Sequence, residues 1–252
     1  MIANQQVFQF VLHLADDSLI LGHRLSEWCG HGPTIEQDIA LTNLALDLVG
    51  QSRLYYQYAA EIEGKGRTED DLAYLRDVIE FRNHLITELP RGDFAFTVLR
   101  QYLWCSFRTE YYQHLLTSSE IKLGELAAKC LKELQYHQRF SITWINRLGL
   151  GTKVSHKKMQ TALDELWPYT FEFFQPTAAE EKLINASLIP DCRDIRKTWD
   201  QSCQSVLREA SLVVPQEHWD FQGGKEGMHT EHLGYILAEM QFLQRTYPGL
   251  VW

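Results

Sequence analysis

Almost every stretch of this chain repeats its apolar residues every three to four positions, and the breaks fall where glycine and proline cluster. That pattern admits helices and little else. The spacing predicts helices from about Gln5 to Trp28, from Thr34 to Glu63, and from Glu69 to the Pro90-Arg91-Gly92 break. Others follow from Phe94 to Thr117, Glu120 to Leu148, Ser155 to about Phe174, Asp191 to Leu212 and Thr230 to Arg245. Gln37 stands where a capping box with Thr34 would place it, and Glu69, Asp70 and Asp71 suit the positive end of a helix dipole. No Asn-Gly or Asp-Gly hairpin with alternating flanks interrupts the pattern. Long helices joined by short turns pack as antiparallel neighbours, so the expectation is one all-α domain over residues 1–252, built on a four-helix bundle with additional helices.

Composition narrows the class. With 252 residues, 45% of them hydrophobic, the chain can bury a large core. A net charge of −9 with no basic block argues against nucleic acid, which requires clustered Lys and Arg. No apolar run is long enough for a membrane span, and the first residues lack the basic start of a secretory signal. Five scattered cysteines, Cys29, Cys105, Cys130, Cys192 and Cys203, with no CxxC spacing, fit a reducing cytoplasm. There is no GxSxG motif, P-loop or GxGxxG turn, so nucleophilic hydrolysis, nucleotide hydrolysis and dinucleotide binding lack support.

Two helices carry polar groups where a core is expected. Ala40, Leu44, Leu48, Leu54 and Tyr58 form one stripe, and Asp47 falls within it. Leu126, Cys130, Phe140 and Trp144 form another, with Glu133, Tyr136 and His137 in its middle. A buried carboxylate needs a partner or a metal. Inward carboxylates on separate helices are the plan of the ferritin-like di-iron proteins, which take a Glu from each of two helices and Glu-x-x-His from each of two more. The corresponding positions here are Asp47, Glu80 with Asn83, Cys105, and Glu133 with Tyr136. Both histidine slots lack the imidazole, and His84 and His137 are one residue out of phase. The reading is a vestigial metal site with no bound metal, its acids Asp47 and Glu133 satisfied by Arg, Lys or Tyr partners, with Arg53, Arg76, Arg100 and Arg108 available. An independent di-iron oxidase or oxygenase using degenerate ligands is the alternative.

The strings EWCGH, LDLVGQ and GGKEGMHTEHLG, together with KELQYHQRFSITWINRLGLGT, resemble the C-subunit family of the ring-1,2-phenylacetyl-CoA epoxidases, and the resemblance runs the length of the chain. It implies a ferritin-like fold and a non-catalytic structural role in aerobic phenylacetate catabolism. The implied partners are a catalytic ferritin-like A subunit that holds the di-iron centre, a small bridging B subunit, and a reductase carrying FAD and an iron–sulfur centre and using NADPH. A homodimer is the further option when the chain is alone. Cys105 departs from the family pattern, where an acid is expected. The early helices are the expected docking face, by analogy with other bundles.

One motif remains. Gly223, Gly224, His229, Glu231 and His232 lie in GGKEGMHTEHLG. Two histidines one turn apart can share a metal, but no further ligand is nominated. A docking corner explains more: Thr230 caps the last helix, Glu231 occupies its first turn, and the glycines permit close backbone approach.

Overall fold

The computed structural model describes residues 2–216 and 219–250, and no strand occurs among them. In chain order the helices are α1 (Ile2–Ser26), α2 (Ile35–Glu63), α3 (Glu69–Tyr74), α4 (Leu85–Glu88), α5 (Phe94–Leu115), α6 (Ile121–Gly149), α7 (Lys153–Leu166), α8 (Ala178–Asn185), α9 (Arg196–Glu209), α10 (Glu231–Met240) and α11 (Phe242–Thr246). Three 3-10 segments, Val78–Glu80, Trp167–Phe174 and Gly224–Glu226, link some of them. The fold is all-α and ferritin-like. The chain packs as two compact units, residues 1–90 with 223–252, and residues 91–222. No described helix is long and apolar enough to cross a membrane.

In the first unit α1 and α2 form an antiparallel hairpin. Gly22 lies against Leu48 and Val49, while Asp16, further back on α1, meets Tyr56, further along α2. α1 is buried all round from Phe10 to Gly22, which explains why no exposed polar stripe runs along it there. α2 ends at Gly64, whose φ of +66° is the left-handed cap that glycine adopts at least cost. Its other end corrects the expectation: Thr34 is the N-cap, but its hydroxyl donates to Glu36 and Gln37 and caps no backbone N–H.

The third expected helix is broken. α3 starts with a true capping box between Thr68 and Asp71, then ends after one and a half turns. Beyond it the chain runs through a 3-10 turn and an extended stretch at 81–84 before α4. The cause lies on α1. His13, Asp16 and Asp17 are buried on one face, and they take the polar backbone groups of this stretch. The Arg82 N–H donates to Asp16 Oδ2 at 2.8 Å, the His84 N–H to Asp17 Oδ1 at 2.7 Å, and His13 Nδ1 donates to the Arg82 carbonyl at 2.8 Å. Those bonds replace the ones a helix would have supplied.

In the second unit α5 and α6 run antiparallel, with Phe94 edge-on to Trp144 at 5.0 Å and Gln101 reaching His137 at 3.2 Å. α5 is buried on nearly every side. The buried stripe of α6 is Leu123, Leu126, Ala127, Cys130, Leu134, His137, Ser141 and Ile145, at spacings of one, three and four. Phe140 and Trp144, expected on that face, are half-buried beside it. α7 begins at Lys153, with Thr152 as cap and Ser155 as its box partner, so Ser155 does not open the helix. The mixed stretch after Pro176 contains α8, capped by Thr177 and Glu180. α9 brings Trp199 inside, where its indole N–H donates to Ser106 at 2.8 Å.

Candidate functional site

The positions nominated for a metal differ in burial and in the atoms they offer. In the first unit Asp47 is half-buried, not sunk in the apolar stripe. Glu80 is exposed on the 3-10 turn and accepts the Asp77 N–H at 2.7 Å. Asn83 is buried, and its amide donates to Glu88 at 3.1 Å and to Thr87 at 3.2 Å. Because 81–84 is extended, Glu80 and Asn83 never share a helical face. In the second unit Cys105 is fully buried, its thiol donating to the Tyr102 carbonyl at 3.6 Å, and burial pushes that thiol far above its usual range. Glu133 is half-buried and Tyr136 is 45% exposed, whereas His137 faces the interior. The buried face of α6 is therefore shifted by one residue from Tyr136 to His137 at this point. A buried amide, a thiol held protonated and an outward phenol lack the hard anionic and imidazole donors that two irons need, so these residues do not fit such a centre. Of the nominated arginines, Arg53 pairs with Glu69 at 3.2 Å and Arg76 with Asp16, while Arg100 lies over the Phe96 ring at 5.8 Å and Arg108 over the Trp104 ring at 5.1 Å.

The carboxylates that are deeply buried were not singled out by sequence. Asp16 and Asp17 on α1 and Glu88 on α4 are all sealed from solvent. Asp16 accepts from the Arg76 guanidinium through both oxygens, from the Tyr56 hydroxyl and from the Arg82 N–H. Burial alone would lower the Arg76 pKa, but Asp16 and Tyr56 outweigh it and hold the guanidinium firmly charged. The signal was present in LHLADDSLIL, two acids inside an apolar run with no polar face to carry them. His13, Asp17 and His84 come close enough to suggest a cation site. Several of their polar atoms are matched among themselves and with backbone: both oxygens of Asp17 take N–H groups of His84, and His13 Nδ1 holds the Arg82 carbonyl. This knot fixes the 81–84 stretch.

The glycine and histidine motif folds against the same stretch. A Cβ on Gly224 would fall well inside contact distance of the Asn83 carbonyl, and one on Gly227 would meet the Ile79 carbonyl at 2.5 Å. Gly223 and Gly227 also hold φ of +121° and +86°. The loop therefore lies directly on the backbone of residues 79–85. His229, its side chain 1% exposed, places Nδ1 at 3.0 Å from Glu88 Oε2 and Nε2 at 3.1 Å from the Phe81 carbonyl. The Thr230 N–H donates to Glu88 Oε1 at 2.6 Å, and the Thr230 hydroxyl caps α10 by accepting the His232 N–H at 3.3 Å. Glu231 is exposed in the first turn of α10, and His232 is half-buried. Further on, Gln241 donates to the carbonyls of Ala73 and Arg76, and Arg245 reaches Arg76 and Asp77. Both His229 nitrogens are engaged, so sharing a metal with His232 would sacrifice at least one of these contacts.

On the outer side of α2, Ile35, Ile39, Leu46 and Val49 are exposed at helical spacing, Ile35 by 77% and Leu46 by 64%. Isolated apolar side chains on a surface are ordinary, whereas these four share one face of α2.

Two comparisons bear on this arrangement. A family model described as "Phenylacetic acid catabolic protein" matches residues 2–252. The chain is also 45% identical, over 247 residues, to the C-subunit of the 1,2-phenylacetyl-CoA epoxidase of Escherichia coli (strain K12), an alignment covering 98% of this chain and 99% of that protein.

Proposed function

From the premise that this chain belongs to the phenylacetic acid catabolic protein family, we propose that it is a non-catalytic structural subunit of a ring-1,2-phenylacetyl-CoA epoxidase. It pairs with and stabilises a catalytic, ferritin-like di-iron subunit. A small bridging subunit and a reductase carrying FAD and an iron–sulfur centre, fed by NADPH, complete the assembly. The observation that carries the reading is the mismatch between scaffold and donors. The helices belong to a ferritin-like chain, yet the ligand positions that its sequence spacing offers hold Asn83, Cys105 and Tyr136 instead of carboxylate or imidazole.

Losing the ligands has a physical benefit for a helper subunit, since folding no longer depends on metal loading. The first unit uses buried polar knots around Asp16, Asp17 and Glu88 to hold its irregular segments. The outward apolar stripe of α2 supports a docking role for that helix. Co-expression with the catalytic subunit tests the proposal. The two should co-purify in fixed ratio, and epoxidation should rise when this chain is added to the catalytic subunit and reductase. Equal activity with and without it would remove the proposal.

A further inference from the structure

The contact between His229 and Glu88 contains more information than its geometry as a corner. The Glu88 carboxylate is sealed from solvent and accepts three donors: the Asn83 amide at 3.1 Å, the Thr230 N–H at 2.6 Å and the His229 ring at 3.0 Å. The other His229 nitrogen faces the Phe81 carbonyl oxygen at 3.1 Å. A carbonyl and an ionised carboxylate can only accept. A neutral imidazole has one N–H and one lone pair, so in either tautomer one of these contacts would set a lone pair against an oxygen. With Glu88 ionised, only the doubly protonated ring turns both into hydrogen bonds, and it also places a cation beside a buried anion.

We propose that His229 is a proton-operated latch: the ring docks as imidazolium between Glu88 and the Phe81 carbonyl, and loss of its second proton releases residues 223–246 from the 73–88 segment. The sign follows from linkage. The docked state binds the extra proton, so docking is favoured at lower pH and weakens as pH rises and the ring gives that proton up.

Other charges surround the latch. From α1, Arg24 donates to the Glu88 backbone carbonyl at 2.7 and 3.1 Å and pairs with Glu27, while His13 and Asp17 hold the 81–84 stretch. From that stretch, Arg82 shares the Phe81 carbonyl and opposes a charge on the ring, and His84 is committed to Asp17. Arg76 is committed to Asp16, and Glu80 caps Asp77. The 3-10 turn before the latch contributes buried Lys225 and exposed Glu226, and α10 contributes Glu231 and His232. Among the described residues only Glu88 and Phe81 bond the ring itself. Glu88 is therefore the anion that selects its protonated form.

The test uses the full chain labelled with 15N-histidine. Ring nitrogen shifts give the protonation state of His229, and hydrogen exchange corrected for intrinsic rates gives the protection of residues 223–246, both followed from about pH 6 to about pH 9. The latch predicts two ring protons at the lower pH. It also predicts that protection of 223–246 falls about tenfold or more as the second proton leaves, while α5 and α6 keep theirs. In His229→Gln that pH dependence should flatten. A ring with one proton throughout, or 223–246 following the same pH course as α5 and α6, would overturn the proposal. Because the ring shifts are read on the unaltered chain, the outcome stands even if the variant folds poorly.

Discussion

Asp16 on α1 and Arg76, sixty residues further along the chain, form a buried bidentate pair that also takes in the Tyr56 hydroxyl. Arg76 lies over the Phe81 ring at 4.2 Å and donates to the carbonyls of Leu72 and Glu80, so one side chain ties the end of α3 to the 3-10 turn beyond it. Asp16→Ala leaves a buried guanidinium unpaired and should cost about 3–5 kcal/mol of unfolding free energy in urea denaturation. Replacing both residues with apolar ones of similar size should cost less than the single change. A loss under about 1 kcal/mol for Asp16→Ala would show that the pair does not organise this segment.

Gly224 admits no side chain without moving the backbone it rests on. Gly224→Ala should destabilise the first unit by about 1–3 kcal/mol and raise exchange at the amides of residues 82–85. Gly50 has open space around its α-carbon, so Gly50→Ala inside α2 should be neutral or stabilising by a few tenths of a kcal/mol up to about 1 kcal/mol. Thermal or urea denaturation of the two variants side by side checks the contrast.

Burial separates the cysteines. Cys29 is exposed, while Cys105, Cys130, Cys192 and Cys203 are buried, and burial pushes the thiols of Cys105 and Cys203 well up. In the folded chain a thiol reagent at neutral pH should label Cys29 alone within minutes, with the rest labelled only in denaturant. Fast modification of Cys105, read by peptide mass mapping, would contradict its placement.

Asp38 caps the turn before α2. Its carboxylate accepts the Gly32 N–H at 2.9 Å, and that bond, with further ones from Gly30 and His31, holds its pKa below the ordinary value. A carboxylate depressed in the folded state contributes stability above its unfolded pKa, and that contribution is lost as pH falls through the folded one. The Asp38 carboxyl should therefore titrate by NMR at lower pH than an unstructured Asp. Its protonation should loosen the 29–34 turn, and Asp38→Asn should make that turn insensitive to acid.

If α2 carries the partner face, Leu46→Glu should weaken co-purification with the catalytic subunit roughly tenfold or more while leaving the helical content unchanged. The residue projects outward, so its replacement disturbs no core packing. An unchanged complex would move the interface elsewhere.

The helices were legible because their packing is periodic, and periodicity survives in one dimension. The break at 75–84 was not, because what holds it open are His13, Asp16 and Asp17, 60 to 69 residues from the groups they bind, and no local window contains them. Helical phase was readable to within a residue, which is too coarse for a site. That error placed Asp47 and Glu133 deeper than they lie, and it assigned Tyr136 the position that His137 holds. The glycine and histidine corner was readable as a close backbone approach, but its anchor, Glu88, lies 141 residues from His229 and nothing in the sequence pointed to it.

Metal content per chain bears most directly on the central claim. This chain and its catalytic partner should be produced separately from iron-supplemented cells, then as the complex, with iron measured by mass spectrometry. The account predicts about two irons on the catalytic subunit and a negligible amount on this chain in either state. About two irons bound to this chain alone would contradict it.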